Sequence, residues 1–171
     1  MERCYQLICL PCSYNSAVNL CKYLRIAGNR FDIYPQAFAA ITNIKSQLNQ
    51  HLRVFLVDIG GYTTDVLLLR NGKPDLQFCR SLEMGVITMN NDIIRREAGQ
   101  HHAKDILDKL RELQVDLRSN LAVFIGGGSI LYREYLENSP MVASATFIEN
   151  PKANAVCYYS MANLQMKLSG R

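Results

Sequence analysis

The stretch Val54–Leu69, VFLVDIGGYTTDVLLL, decides the fold of this chain. Two apolar runs rich in β-branched, aromatic and aliphatic residues flank a short polar segment, which predicts two buried strands joined by a tight turn. Gly60 and Gly61 let the backbone turn sharply and present bare N–H groups. The polar residues of the stretch all lie at the bend: Asp58, Thr63, Thr64 and Asp65. Such a bend is chemically suited to a phosphate chain with a bound metal ion.

The rest of the chain alternates short apolar runs with helical patterns. Asn71-Gly72 is a strong two-residue turn signal, so a third antiparallel strand should follow the first two. Further strands are predicted at residues 5–10, 31–34, 76–80, 121–125 and 146–148, and helices at 84–98, 104–113, 129–136 and 152–166. Another helix should start with Pro35 at its first position. Gly99 should end the helix predicted at residues 84–98. This order predicts an α/β domain with a mixed sheet, a three-stranded antiparallel meander and flanking helices.

Composition excludes several classes of protein. The chain has 171 residues, 49% of them hydrophobic and 20% charged, which predicts one globular domain over residues 1–171. The net charge of +4 is carried by scattered residues without interleaved aromatics, so direct nucleic-acid binding is not expected. No apolar run reaches the roughly 18 residues of a membrane span, and the first residues do not resemble a signal peptide. We therefore expect a cytoplasmic protein that does not bind membranes.

A second glycine segment, LAVFIGGGSIL at residues 121–131, joins a predicted buried strand to a helix. Backbone N–H groups at such a turn favour an anion or a flat polar ligand. The segment is not a G-x-G-x-x-G fingerprint and lacks the lysine of a P-loop. The alternative is a glycine turn needed only for close helix packing.

Asp58 and Asp65 form a pair of carboxylates whose chemistry fits a metal better than acid–base catalysis. Mg²⁺ uses few carboxylates and several waters beside substrate phosphates, so Asp58 at a strand end could hold it through water. Gly60, Gly61 and Thr63 would then contact the β and γ phosphates through N–H and hydroxyl groups. The alternative is a plain β-hairpin whose Asp and Thr side chains satisfy turn amides.

Five segments in order resemble a known group of proteins. The spacing from Asp58 to Asp65 resembles the second phosphate motif of the actin, heat-shock chaperone and sugar kinase ATPases, and LAVFIGGGSIL resembles their adenosine motif. The chain is most similar to the plasmid-segregation actins of the ParM or StbA group. That resemblance implies a ribonuclease H-like (actin-like ATPase) fold. It rests on these segments: YPQAFAA, VDIGGYTTD, LEMGVITMNNDI, VFIGGGSIL and FIENPKANAVCYYSMAN.

The resemblance implies ATP and Mg²⁺ as cofactors, slow hydrolysis, and filaments that separate plasmid copies through a DNA-bound adaptor protein. Gln36 would point toward the γ phosphate, although it could also be an ordinary polar residue in a first helical turn. Asp58 would be the metal-binding and second catalytic residue. The implied cofactor-binding residues are Gly60, Gly61, Thr63, Thr64, Asp65, Gly126, Gly127, Gly128 and Ser129.

The sequence departs from this group in two places. Nothing before Tyr5 supplies a first phosphate motif, so we expect the chain to correspond to the second lobe and to be inactive alone. The helical insertion of the group is shortened at about residues 92–120. Two alternatives stay open, namely a fragment of a small-molecule kinase of the same superfamily and a non-catalytic interaction module with the actin fold.

Overall fold

The fold is built from seven strands and several helices within the residues that the computed structural model describes, which are 6–10, 31–35, 37–87 and 96–168. The strands are β1 Gln6–Leu10, β2 Phe31–Pro35, β3 Arg53–Ile59, β4 Thr64–Arg70, β5 Lys73–Leu82, β6 Leu121–Ile125 and β7 Ala145–Phe147. The helices are a 3₁₀ helix at Ala39–Ile44, α1 Lys45–Leu48, α2 Arg96–Glu112, α3 Gly126–Leu131, α4 Arg133–Glu137 and α5 Ala153–Leu168.

A five-stranded mixed sheet with the order β5-β4-β3-β6-β7 forms the centre of the molecule. β3, β4 and β5 are antiparallel neighbours, which confirms the predicted meander. β6 runs parallel to β3, and β7 runs parallel to β6. Because parallel strands end at the same edge of a sheet, the carboxyl ends of β3 and β6 lie side by side, with Asp58 opposite Ile125. β1 and β2 form a separate parallel pair.

Both faces of the central sheet are buried. Successive residues of β3 point to opposite sides of the sheet, and they belong to two different apolar clusters. On the first face, Phe55, Val57 and Ile59 pack with the apolar side of α2 and with Tyr132 and Leu136. On the second face, Val54 and Leu56 belong to a core with these residues around the 3₁₀ helix and at the start of α5: Ala37, Ala40, Ile41, Leu48 and Ala153. By this alternation Asp58 belongs to the second face.

The turn between β4 and β5 has the predicted chemistry. Asn71 and Gly72 both have positive φ angles, of 50° and 72°. Two such residues form a tight turn whose twist matches that of the flanking strands. The Asn-Gly pair therefore closes the second hairpin of the meander, as predicted.

Three predicted helix boundaries are wrong. Gly99 does not end a helix but lies inside α2, where a Cβ atom at this position would already contact the Tyr135 ring at 3.4 Å. Pro35 is the last residue of β2 rather than the first of a helix. The helix predicted at 129–136 begins at Gly126 and is divided in two at Tyr132, whose backbone is not helical at φ −96° and ψ 6°. In these three places the local sequence signal does not set the helix boundary.

Candidate functional site

The turn between β3 and β4 is fixed by its own hydrogen bonds and by the segment after β5. The Gly60 N–H donates to the Thr63 carbonyl at 2.9 Å. The carbonyl groups of Gly60 and Gly61 accept from the N–H groups of Val86 and Ile87 at 3.1 and 2.7 Å. The predicted phosphate turn is thus held against the start of a helical segment at residues 86–87.

Asp58 and Asp65 are buried directly opposite each other on β3 and β4, with exposed fractions of 3% and 2%. Residues opposite each other in an antiparallel pair share a face, and like charges in that position repel. Asp58 accepts a hydrogen bond at Oδ2 from Asn154 Nδ2, at 2.6 Å. Asp65 accepts at Oδ2 from the Thr63 hydroxyl at 3.0 Å. Among the described residues, the buried Oδ1 atom of Asp65 has no hydrogen-bond partner.

Burial raises the pKa of Asp65 above its ordinary value of 3.8, against hydrogen bonds from Ser81 and Thr63 that lower it. Ionisation of Asp65 therefore costs more free energy in the folded than in the unfolded chain. This cost is present above the folded pKa and disappears as the pH falls through it. A carboxylate kept at such a position is typical of a binding site, where stability is exchanged for function.

We expect Asp65→Asn to raise the melting temperature by a few degrees at pH 7. The neutral amide avoids the cost of a buried charge, keeps an oxygen for the Thr63 hydroxyl, and lies on the same face as the Asp58 carboxylate. The difference from the wild-type protein should shrink as the pH falls through the raised pKa of Asp65 toward the ordinary value of 3.8. Thermal unfolding followed by circular dichroism across this pH range measures it. A lower melting temperature at pH 7 would show that the ionised carboxylate stabilises the fold.

The three glycines after β6 have different surroundings. Gly126 has a positive φ of 87°, and a Cβ atom there would lie 2.5 Å from Asp58 Oδ1 and 2.6 Å from the Ile59 carbonyl oxygen. A Cβ atom at Gly128 would overlap the Ile59 side chain and lie 2.8 Å from Val86 Cγ2. A Cβ atom at Gly127 would meet nothing within 4 Å, and this residue is exposed. Two of the glycines are therefore required for close packing, and the middle one lies open.

The structure brings most of the predicted site residues to one edge of the sheet. Asp58, Thr63 and Asp65 are linked through the strand pair, Gly60 and Gly61 form the adjoining turn, and Gly126 contacts Asp58. Gly127 and Gly128 follow directly.

Two predicted hydroxyl groups bond to backbone carbonyls instead of facing this edge. Thr64 is fully buried and donates to the Met84 carbonyl at 2.5 Å. Ser129 is also fully buried and donates to the Gly126 carbonyl at 2.7 Å. These two side chains shape the backbone around the site. Gln36 lies outside the described residues.

Asn154 is a site residue that the sequence reasoning missed. It lies in the first turn of α5, and its amide reaches Asp58 from 96 positions further along the chain. The Pro-x-Ala-Asn-Ala segment at residues 151–155 is the available signal, but it does not show which side chain the asparagine contacts.

The donor set at this edge fits a hard cation that keeps most of its own water. Its side-chain oxygens come from Asp58, Asp65, Thr63 and Asn154, and oxygen is the ligand type that Mg²⁺ uses. The described part of the chain contains no group of three or more His, Cys, Asp or Glu residues arranged to hold a metal ion. A cation at Asp58 would therefore depend on water and on ligand phosphates for most of its coordination.

Two cavities of about 360 and 490 Å³ lie elsewhere, along α2. Both include Leu107 and Met141 in their walls, and neither includes Asp58 or the glycines at residues 126–128. They belong to the layer on the first face of the sheet, away from the two carboxylates. In the part of the chain that is described, no helix is both long and apolar enough to cross a membrane.

Solved structures share this fold. The chain aligns over 94% of its length with ParM of a 15-stranded filament from Clostridium botulinum, at 17% identity and a TM-score of 0.64. It aligns over 97% of its length with MreB 5 of Spiroplasma citri bound to AMPPNP, at 12% identity and a TM-score of 0.68. An archaeal actin homologue in complex with ADP aligns with 79% of the chain at 19% identity and a TM-score of 0.57.

These similarities show that the chain has a ParM-like bacterial actin fold, as predicted. The chain spans 66%, 70% and 58% of the lengths of the three proteins. The sequence itself matches no protein-family model and no curated protein.

Proposed function

We propose that this chain is the ATP-binding lobe of a ParM-like actin-type ATPase. The proposal rests on one observation: a buried carboxylate, a glycine turn and a second glycine segment all lie at one edge of the sheet. A Cβ atom at Gly126 would lie only 2.5 Å from Asp58 Oδ1, and the turn at Gly60 and Gly61 lies at the end of the same strand as Asp58. The ADP and AMPPNP complexes of proteins with this fold support a nucleotide as the ligand.

In this proposal each group has one role. Asp58 would hold Mg²⁺ through water, and the turn at Gly60–Thr63 would bind the β and γ phosphates through Gly61 and Thr63, because the Gly60 N–H already donates to the Thr63 carbonyl. Gly126–Gly128 pack against the adenosine, with the exposed Gly127 nearest to it. Thr64 and Ser129 hold the backbone of the two glycine segments, and Asp65 orients the Thr63 hydroxyl. When bound, the cation neutralises phosphate charge.

Gln36 remains our candidate for orienting the attacking water. Hydrolysis requires a cleft closed from both sides, since water exclusion and electrostatic stabilisation need a second wall. The chain corresponds to 58–70% of the length of the three related proteins, and the second wall belongs to the first lobe in our proposal. We therefore expect binding by this chain alone and no appreciable hydrolysis.

We further propose that the protein polymerises and takes part in plasmid segregation through a DNA-bound adaptor. The ParM filament from Clostridium botulinum and the AlfA filament from a Bacillus subtilis plasmid support self-assembly by a chain of this fold. The five ParM-like sequence segments favour the plasmid role over the other functions that this fold serves.

Calorimetric titration with Mg-ATP tests the nucleotide proposal. We expect measurable binding by the wild-type chain and at least about tenfold weaker binding by Asp58→Asn, since about 1.4 kcal/mol is lost with the charge facing the cation. The substituted amide has the same shape and can still accept from Asn154. Asp105→Asn on the exposed side of α2 removes the same charge away from the site and should bind normally.

The other outcomes separate the alternatives. Equal binding by the wild-type chain and Asp58→Asn would place the nucleotide elsewhere and contradict the proposal. No binding, even after a first lobe is supplied, would favour a non-catalytic interaction module. Phosphoryl transfer from ATP to a small hydroxyl compound in that reconstituted protein would favour the kinase alternative.

A further inference from the structure

The hydrogen bond between Asn154 and Asp58 joins the last helix to the central sheet. Asn154 Nδ2 donates to Asp58 Oδ2 at 2.6 Å, and the two residues are 96 positions apart. An ionised carboxylate can only accept hydrogen bonds, so the NH₂ group of the amide must face it. A hydrogen bond to a charged acceptor is stronger than one between neutral groups.

The start of α5 is held rigidly enough to fix this amide. Asn150 fixes the turn that leads into the helix, since its side-chain oxygen accepts from the Lys152 N–H at 2.9 Å and its carbonyl accepts from the Ala153 N–H at 2.9 Å. Ala153 and Cys157, one turn apart, are buried with exposed fractions of 5% and 7%. The buried side of α5 therefore positions Asn154 against the strand end.

The Asp58 carboxylate is confined from two directions. Gly126 lies against Oδ1, because a Cβ atom at Gly126 would be 2.5 Å from that oxygen. Asn154 binds Oδ2 from the side of α5. Rotation of the carboxylate would break the hydrogen bond to Asn154, and a side chain at residue 126 would displace Oδ1. One orientation of Asp58 is thus selected before any ligand arrives.

The second polar atom of the amide, Asn154 Oδ1, is an unsatisfied hydrogen-bond acceptor in the described part of the chain. Asn154 Oδ1 is buried and has no hydrogen-bond partner within the described residues. Asp65 Oδ1 is also buried without a partner there, and Asp65 lies opposite Asp58 on the same face of the sheet. A buried amide oxygen without a donor is costly, and water bound to a cation is a strong donor. Both unsatisfied acceptors belong to residues that hydrogen-bond within the candidate site, to Asp58 and to Thr63.

We propose that Asn154 is a positioning residue for the cation at Asp58: its NH₂ group fixes the carboxylate, and its Oδ1 accepts a hydrogen bond from water bound to Mg²⁺. This inference rests on the proposed function for the identity of the cation. The fixing of Asp58 by Asn154 does not depend on that function and can be tested without nucleotide.

The first measurement is a double-mutant cycle by thermal unfolding without nucleotide. Asn154→Ala should lower the melting temperature of the wild-type chain by about 4 °C, as expected for loss of a charge-assisted hydrogen bond. In the Asp58→Ala background the same substitution should have less than half that effect. Asn150→Ala is the control, because it weakens the start of the same helix without touching Asp58, and its effect should be equal in both backgrounds. Equal effects of Asn154→Ala in the two backgrounds would overturn the inference.

The second measurement is ATP affinity with Mg²⁺ and with EDTA. We expect Asn154→Ala to reduce the Mg²⁺-dependent gain in affinity by at least about tenfold, the usual effect of losing a partner of a metal ligand, and to leave affinity in EDTA unchanged. Asn150→Ala should keep the full gain. An unchanged gain in Asn154→Ala would overturn the cation role while the proposed function stands. Absence of ATP binding by the wild-type chain, even after a first lobe is supplied, would contradict the proposed function and the cation role, and the thermal cycle would still decide whether Asn154 positions Asp58.

Discussion

Replacing Gly126 by alanine is expected to lower the free energy of unfolding by about 3 kcal/mol or more. The positive φ of 87° is unfavourable for any residue with a Cβ atom, and the added methyl group would lie 2.6 Å from the Ile59 carbonyl oxygen. The methyl group would also lie 2.5 Å from Asp58 Oδ1, so the carboxylate must move away from its position. Stability and Mg-ATP affinity should therefore fall together.

Gly127→Ala is the matched control for stability, one residue further along the same helix. A Cβ atom at Gly127 meets nothing within 4 Å, and alanine is favoured over glycine in a helix by about 1 kcal/mol at most. Chemical denaturation of both variants, followed by titration with Mg-ATP, compares them. If Gly127→Ala stays folded but binds Mg-ATP more weakly, the open glycine contacts the ligand. A Gly126→Ala variant as stable as the wild-type protein would show that the turn after β6 can rearrange.

Gly85→Ala should destabilise the fold by a similar amount, about 3 kcal/mol, through a different contact. A Cβ atom at Gly85 would overlap the Gly61 carbonyl group and lie 2.5 Å from the Tyr62 carbonyl carbon. These are backbone atoms of the turn between β3 and β4, and they cannot rotate aside as a side chain can. The Val86 and Ile87 hydrogen bonds to the turn depend on the same close approach. The expected fall in melting temperature is roughly 6–12 °C.

The comparison for Gly85 is Gly99→Ala in the middle of α2. The added Cβ atom would contact the Tyr135 ring at 3.4 Å, which is an ordinary van der Waals distance. Alanine there should stabilise the chain by about 0.5–1 kcal/mol. Thermal unfolding of the two variants under one condition provides the test. Similar melting temperatures for both would mean that the turn next to Gly85 yields easily and that its geometry is not fixed by packing.

The features of the fold that the sequence predicts are those set by neighbouring residues. The strands on either side of Gly60 and Gly61 follow from two apolar runs, and the Asn71-Gly72 turn follows from the backbone preferences of its two residues. The register that places Asp58 opposite Asp65 is not predicted, because it depends on the exact length of the turn between the strands.

The features that the sequence does not predict depend on distant contacts. Nothing local shows that Gly99 lies inside a helix near Tyr135, or that residue 126 must be glycine because Ile59 and Asp58 leave no room for a side chain. The same holds for Asn154, whose partner is 96 residues away. Local patterns indicate which residues are polar or flexible, whereas the tertiary fold decides which of them meet.

The bond between Asn154 and Asp58 also sets an order of events during synthesis. Ribosomes add about 5–20 residues per second, so the 96 residues between the two side chains take roughly 5–20 s to make. Throughout that interval the residues of β3 and β4 have already been synthesised, but the Asp58 carboxylate has no Asn154 amide to bind. The candidate site is consequently among the last parts of the described chain to be completed, and it forms only when α5 docks on the sheet.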